Sequence, residues 1–264
     1  MIIFLTTIFF IFGLIIGSFL NVVIFRLNTQ RTFGGRSMCM SCQKQLSWYE
    51  LIPLFSFLFL RGRCSNCKTK ISYQYPLVEF LCGLIFVSIF WKFQDAFFSS
   101  TLGFSLSFAY YAVSFALLLV IAVYDYRHKI IPDSLALILG ILSFVGLFLF
   151  SSDGFSNFYP HLPSVVELLS PLFIALPFAL LWLVSSGRWM GLGDAKLAVG
   201  LTWLVGFTRA LSGVVVAFWF GALVGLLLIV FSKKYGMKSE IPFAPYLILG
   251  IFLAFIFELH LFGI

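Results

Sequence analysis

Two aspartates stand where a carboxylate is costly. Asp194 closes the tetrapeptide Gly191-Leu192-Gly193-Asp194 in a largely apolar part of the chain, and Asp125 follows Tyr124 just beyond the apolar run 102–124. An ionisable side chain at membrane depth costs about 2.5–3.5 kcal/mol on insertion scales, so its presence there points to function. Two such carboxylates make an acid–base pair able to activate water. Gly191 and Gly193 permit positive φ and close backbone approach, and are expected to present Asp194 at an unwound helix start. The bland alternative is a glycine turn with Asp194 as an ordinary N-cap. A transporter would use the same two aspartates as a proton relay.

Four cysteines carry the second signal: Cys39-Met40-Ser41-Cys42 and Cys64-Ser65-Asn66-Cys67. Paired C-x-x-C knuckles at this separation fit a tetrahedral four-thiolate site, with zinc the first choice. A site with four protein ligands has no open position, which makes the metal structural, and a polar segment of about fifty residues needs such a staple. A redox or metal-sensing role for the same sulfurs is the alternative. Cys82 stands alone in an apolar run and reads as a packing residue.

The elements that must hold these groups follow from composition. Of 264 residues, 61% are hydrophobic, 19% aromatic and only 10% charged, with 35 phenylalanines. That excludes a soluble domain and predicts an all-α polytopic membrane protein. Apolar runs at 1–25, 76–93, 102–124, 133–151, 164–186, 195–207, 209–231 and 241–260 give about eight transmembrane helices. Met1–Phe25 lacks a basic start and a small-residue cleavage site, so it reads as a retained helix rather than a removed signal peptide. Three segments result: a first helix at 1–25, a four-cysteine segment at 26–75 and a helical membrane domain at 76–264. Alternating the spans puts all but Lys92 and Arg209 of the 17 lysines and arginines on one side. By the positive-inside rule that side is cytoplasmic, both termini are outside, and the cysteines sit in a reducing compartment where disulfides are disfavoured. Asp125 then ends one helix and Asp194 begins another, both at the cytoplasmic side. The helix dipoles would favour the protonated form at Asp125 and the ionised form at Asp194. The net charge of +7 is accounted for by topology and anionic lipid and calls for no nucleic acid.

The remaining polar residues have structural readings. Asp133 after Pro132 is expected to cap a helix, Ser164 and Glu167 to form a capping box, and Asp95 and Asp153 to lie in outside loops. Glu79, three residues after Pro76, reads as first-turn charge, with a functional role left open. Ser18 and Asn21 signal close helix packing and an interhelical hydrogen bond.

Taken together, Gly17-Ser18-Phe19-Leu20-Asn21 through Arg26, the two knuckles, Ile71-Ser72 with Tyr75-Pro76-x-x-Glu79, Asp125 through Ile131-Pro132-Asp133, Gly191–Asp194 and Ile241-Pro242-Phe243-Ala244-Pro245 resemble the type IV prepilin peptidases. The resemblance runs nearly end to end. Asn28, Leu51 and Ala244 depart from it, standing where proline, asparagine and glycine are usual. It implies a bacterial inner-membrane aspartic peptidase with Asp125 and Asp194 as its catalytic pair. Its substrates would be prepilins or pseudopilins of type IV pilus or type II secretion systems. They are cut after a short basic leader and then N-methylated from S-adenosylmethionine. The methyltransferase part rests on the resemblance alone, and Glu50 and Glu79 are the acids available near the knuckles to orient an amine or donor. Intramembrane proteases of the presenilin type share Tyr-Asp and Gly-Leu-Gly-Asp, but that class does not predict the knuckles.

Overall fold

Backbone polar groups surrounded by apolar side chains must be paired within the chain, and a helix does this residue by residue. Each apolar run of the sequence accordingly folds as a helix. The computed structural model describes residues 1–29, 34–150, 158–231 and 241–261. Asp153 and the charges Arg31, Lys233, Lys234 and Lys238 lie outside the described residues. The helices are α1 (Ile2–Arg26), α2 (Phe55–Phe59), α3 (Gln74–Lys92), α4 (Gln94–Ser99), α5 (Thr101–His128), α6 (Asp133–Leu149), α7 (Val165–Ser185), α8 (Leu192–Val205), α9 (Phe207–Phe231) and α10 (Ala244–Phe257), with a 3-10 turn at Trp48–Leu51. The described residues contain isolated bridges but no strand. Five helices, α1, α3, α5, α7 and α9, are long and apolar enough to cross a membrane. Two others, α6 and α10, are apolar but shorter, and α8 has 14 residues. The chain is a multi-pass membrane protein.

Local chemistry sets the helix ends. Ser164 and Glu167 form the expected capping box at the start of α7. Pro171 inside that helix cannot donate to the Glu167 carbonyl, and Ser170 Oγ takes the vacant acceptor at 2.8 Å. Other expectations need correction. The 102–124 run does not end before Asp125: α5 continues through His128 and stops where Lys129 turns left-handed at φ 55°, its N–H donating to the Asp125 carbonyl at 2.7 Å. Asp133 makes no capping bond and instead pairs with Lys196 Nζ at 2.7 Å, joining the start of α6 to α8. Asp95 lies in the short helix α4 rather than in a loop.

The chain divides into two compact units, residues 1–92 and 93–264. In the first, α3 packs on α1, so it groups with the first helix rather than with those that follow. The contact is a close one: a Cβ added to Gly17 would stand 2.7 Å from Glu79 Cα, and one added to Gly13 would stand 2.7 Å from the Cys82 carbonyl oxygen. Asn21 Nδ2 crosses the same contact to the Tyr75 carbonyl at 3.1 Å, as expected for an interhelical hydrogen bond. Cys82 is fully buried there. In the second unit α10 packs on α5 and α9, while α8 is flanked by α6 and α7. Phe115 and Tyr111 of α5 meet Phe255 of α10 at ring separations of 5.2 and 4.6 Å.

Because backbone, not a flexible side chain, faces Gly17, Gly17→Val is expected to cost about 1–3 kcal/mol or more through overpacking. A lowered Tm of the detergent-solubilised protein measures it; an unchanged Tm would refute the close α1–α3 contact.

Candidate active site

Asp125 and Asp194 stand 69 residues apart in sequence, on different helices, and both belong to the second unit. Asp125 projects from the last turn of α5 and Asp194 from the first turn of α8. Their exposures are 5% and 7%, and the charge of Asp125 acts directly on Asp194. Each has a backbone N–H partner. Asp194, at the third position of its helix, reaches back to Gly191, the N-cap, as a first-turn acid does in half of a capping box. Asp125 meets the N–H of Ala244, the first residue of α10.

That second partner corrects the dipole argument. Asp125 does sit at the C-terminal end of its own helix, but its carboxylate faces the N-terminus of another. Both acids therefore meet positive helix ends, and the macrodipoles do not separate their roles. The contact was missed because it spans more than a hundred residues. Its one sequence signal is Pro245, a residue favoured in the first turn of a helix. The Ala244 departure is harmless, since its main chain makes the contact.

The glycines act differently from the expectation. Gly191 has φ −76°, and neither Gly191 nor Gly193 adopts positive φ. Gly193 matters for space: a Cβ there would stand 3.0 Å from Ile131 Cβ. The bare backbone lets the start of α8 lie against the Ile131-Pro132 turn that leads into α6.

The first unit holds the four cysteines, each knuckle built by the same bonds. Cys39 N–H donates to the Lys44 carbonyl and Gln43 N–H to the Cys39 carbonyl; Cys64 N–H donates to Thr69 and Lys68 N–H to Cys64. Gln43 and Lys68 both take positive φ, at 56° and 59°. Folded this way, the four sulfurs lie within 4.8 Å of one another, with Cys39–Cys67 at 3.8 Å and Cys42–Cys64 at 3.9 Å. A tetrahedron with Zn–S of about 2.3 Å has edges of about 3.8 Å, so the donor set fits zinc. The Thr69 hydroxyl, 3.3 Å from Cys67 Sγ, is the largest influence drawing that thiol down to about 6, which favours the thiolate that binds metal.

Both acids near the knuckles are buried. Glu50 forms a capping box with Ser47 and lies 3.6 Å from Lys44 Nζ, which in turn donates to Ser65 Oγ at 2.9 Å. Ser65 first, then the Ser47 N–H and Lys44, hold its carboxyl below the usual range. One carboxylate thus ties a residue of each knuckle together. Glu79 is not first-turn charge: it lies one turn further into α3, accepts the Leu54 N–H at 2.8 Å and interacts with Ser18. Leu54 needs that anchor because its φ is 59°.

Two family models match the chain, the bacterial peptidase A24 N-terminal domain over residues 11–93 and the type IV leader peptidase family over residues 112–226. Several curated relatives are named prepilin leader peptidase/N-methyltransferase. That of Myxococcus xanthus is 35% identical across 88% of this chain and 65% of its own length. The chain thus spans just under two thirds of that relative. The Stutzerimonas stutzeri protein is 33% identical across 90% of this chain and 85% of its own. For the Bacillus subtilis protein the identity is 31%, across 95% and 94%. No solved structure matches. With relatives above 30% identity aligned over nearly their whole length, and a buried carboxylate pair inside the matched segment, the chain belongs to the type IV leader peptidase family.

Proposed function

We propose that this protein cleaves the basic leader from type IV prepilins or pseudopilins, using Asp125 and Asp194, and then N-methylates the new amino terminus from S-adenosylmethionine. The observation that carries the cleavage reading is the buried pair itself, two interacting carboxylates each held by one backbone N–H. Such a pair shares a proton, because two adjacent charges in a low-dielectric site are mutually costly. The ionised member takes a proton from the attacking water while the protonated member hydrogen-bonds the scissile carbonyl. As the helix ends treat the two alike, the pair acts as one acid–base unit with shared apparent pKa values. Gly191 and Gly193 shape the approach.

Cleavage at the cytoplasmic face of a bacterial inner membrane, eight crossings and both termini outside complete the reading, supported by the apolar runs and the basic residues between them. Zinc held by Cys39, Cys42, Cys64 and Cys67 would be architectural, linking two knuckles that otherwise share little apolar core. The methyltransferase reading rests on the names of the relatives, and Glu50 and Glu79 are its candidate residues.

Asp125→Asn and Asp194→Asn are each expected to lower cleavage of a prepilin peptide by about 10²–10⁴-fold, the usual contribution of acid–base groups. Near-normal turnover by either purified variant removes that residue from the mechanism. The same Asp194→Asn protein should still methylate a substrate supplied with its leader already removed. Loss of that methylation in a folded variant would mean that the aspartates serve both reactions.

Metal analysis of protein purified without chelator should find one zinc per chain. Cys39→Ser or Cys64→Ser should lose it and speed hydrogen exchange across residues 37–72. Full metal content in either variant would place the ion elsewhere.

A further inference from the structure

The helix ends that meet around the carboxylate pair are basic. Arg127 and Lys129 close α5, Arg188 follows α7, and Lys196 stands in α8 two residues past Asp194. Among the described residues, one carboxylate besides the pair stands at these ends: Asp133, the first residue of α6. The others of the second unit, Asp95, Glu167 and Glu258, lie at the opposite helix ends. A leader rich in lysine or arginine that approaches this surface meets cations of its own sign, while the pair, sharing one proton, offers it a single negative charge.

Asp133 is placed to supply the missing counter-charge. Ile131, two residues earlier, packs so closely on Gly193 that a Cβ there would stand 3.0 Å from its own. Lys196 Nζ donates to Asp133 Oδ1 at 2.7 Å. These two contacts hold the carboxylate beside the start of α8, whose first turn carries Asp194. The Asp133 side chain is 76% exposed and that of Lys196 46%, so a second cation can reach the carboxylate from solvent. An ion pair this exposed is weak, and an incoming lysine or arginine can share or displace the Lys196 ammonium at little cost. Extended chain covers about 3.3–3.6 Å per residue, which gives a cation a few residues before the scissile bond the reach for it. The reverse assignment, Lys196 taking an acidic group of the substrate, has nothing to single it out, because Arg127, Lys129 and Arg188 offer the same charge.

Resting on the cleavage reading, we propose that Asp133 is a specificity-determining residue, the counter-charge that receives a lysine or arginine of the substrate's leader, with Lys196 both holding it in place and competing for it. Its contribution is to substrate binding, and it takes no part in proton transfer at the scissile bond. Because the attraction acts between exposed groups, it weakens as salt rises.

The test compares two prepilin peptides that differ only in the leader, one with its lysines and arginines and one with glutamine in their place, cleaved by the full-length protein in detergent. The ratio of kcat/KM for the two is read within each variant, so any loss of folded protein cancels. The unmutated chain should favour the basic leader by about two- to fivefold, the range of an exposed ion pair, through KM rather than kcat. Asp133→Asn should bring the ratio close to one, and Asp133→Lys should favour the neutral leader. Lys196→Gln separates this role from a structural one: with the competing ammonium gone the preference should rise, whereas a pair that only fixes the register of α8 on α6 would leave the ratio unchanged in all three variants. An unchanged ratio in Asp133→Asn, or no leader preference in the unmutated chain, overturns the proposal while the cleavage reading stands. A folded unmutated chain that cleaves neither peptide would sink both.

Discussion

A carboxylate excluded from water must find its donors inside the protein, and this requirement organises the second unit. Asp125 and Asp194 are served by helix first turns, the one place where an all-helical chain has backbone N–H groups to spare. The consequences reach outward. α10 must begin beside the end of α5, which the ring contacts of Tyr111 and Phe115 with Phe255 enforce along the two helices. α8 must begin close to the turn before α6, which a bare Gly193 backbone allows and the Asp133–Lys196 pair supports. That pair is largely exposed, so it contributes little stability and serves mainly to fix register.

The first unit meets a different constraint. Its knuckle segment exposes Trp48, Leu58 and Phe59 and buries few apolar side chains, so packing alone offers little to hold it. Polar ties substitute: repeated backbone bonds in each knuckle, Glu50 facing Lys44 and near Ser65, and Glu79 gripping Leu54 from α3. A metal on four thiolates would close the same network. These ties leave open space lined by α1, the knuckle segment and the start of α3.

Close contact of α1 and α3 links the two themes. Gly13 and Gly17 let the backbones approach, Asn21 bridges them through Tyr75, and Glu79 then lies opposite Gly17 with its carboxylate directed to the loop. Small residues at the contact provide close packing where apolar burial distinguishes poorly between helix and lipid. Asn21 and Glu79 therefore belong both to the helix contact and to the wall of the open space beside the knuckles.

Much of this was legible in the sequence because its causes are local. Length and apolarity of a run decide a helix, Ser164 and Glu167 are three residues apart, and the spacing within each C-x-x-C knuckle restricts its loop. The carboxylates declared themselves through the cost of placing them among apolar neighbours. Tertiary structure alone decided what depends on pairs distant along the chain. Asp133, a cap by position, turns to Lys196 because α8 lies beside α6. Glu79, first-turn charge by spacing from Pro76, is buried because Leu54 needs an acceptor. Asp125, at the wrong end of its own helix to be ionised by a dipole, acquires the N-terminus of α10, whose register against α5 is set by packed aromatic rings that no short-range pattern encodes.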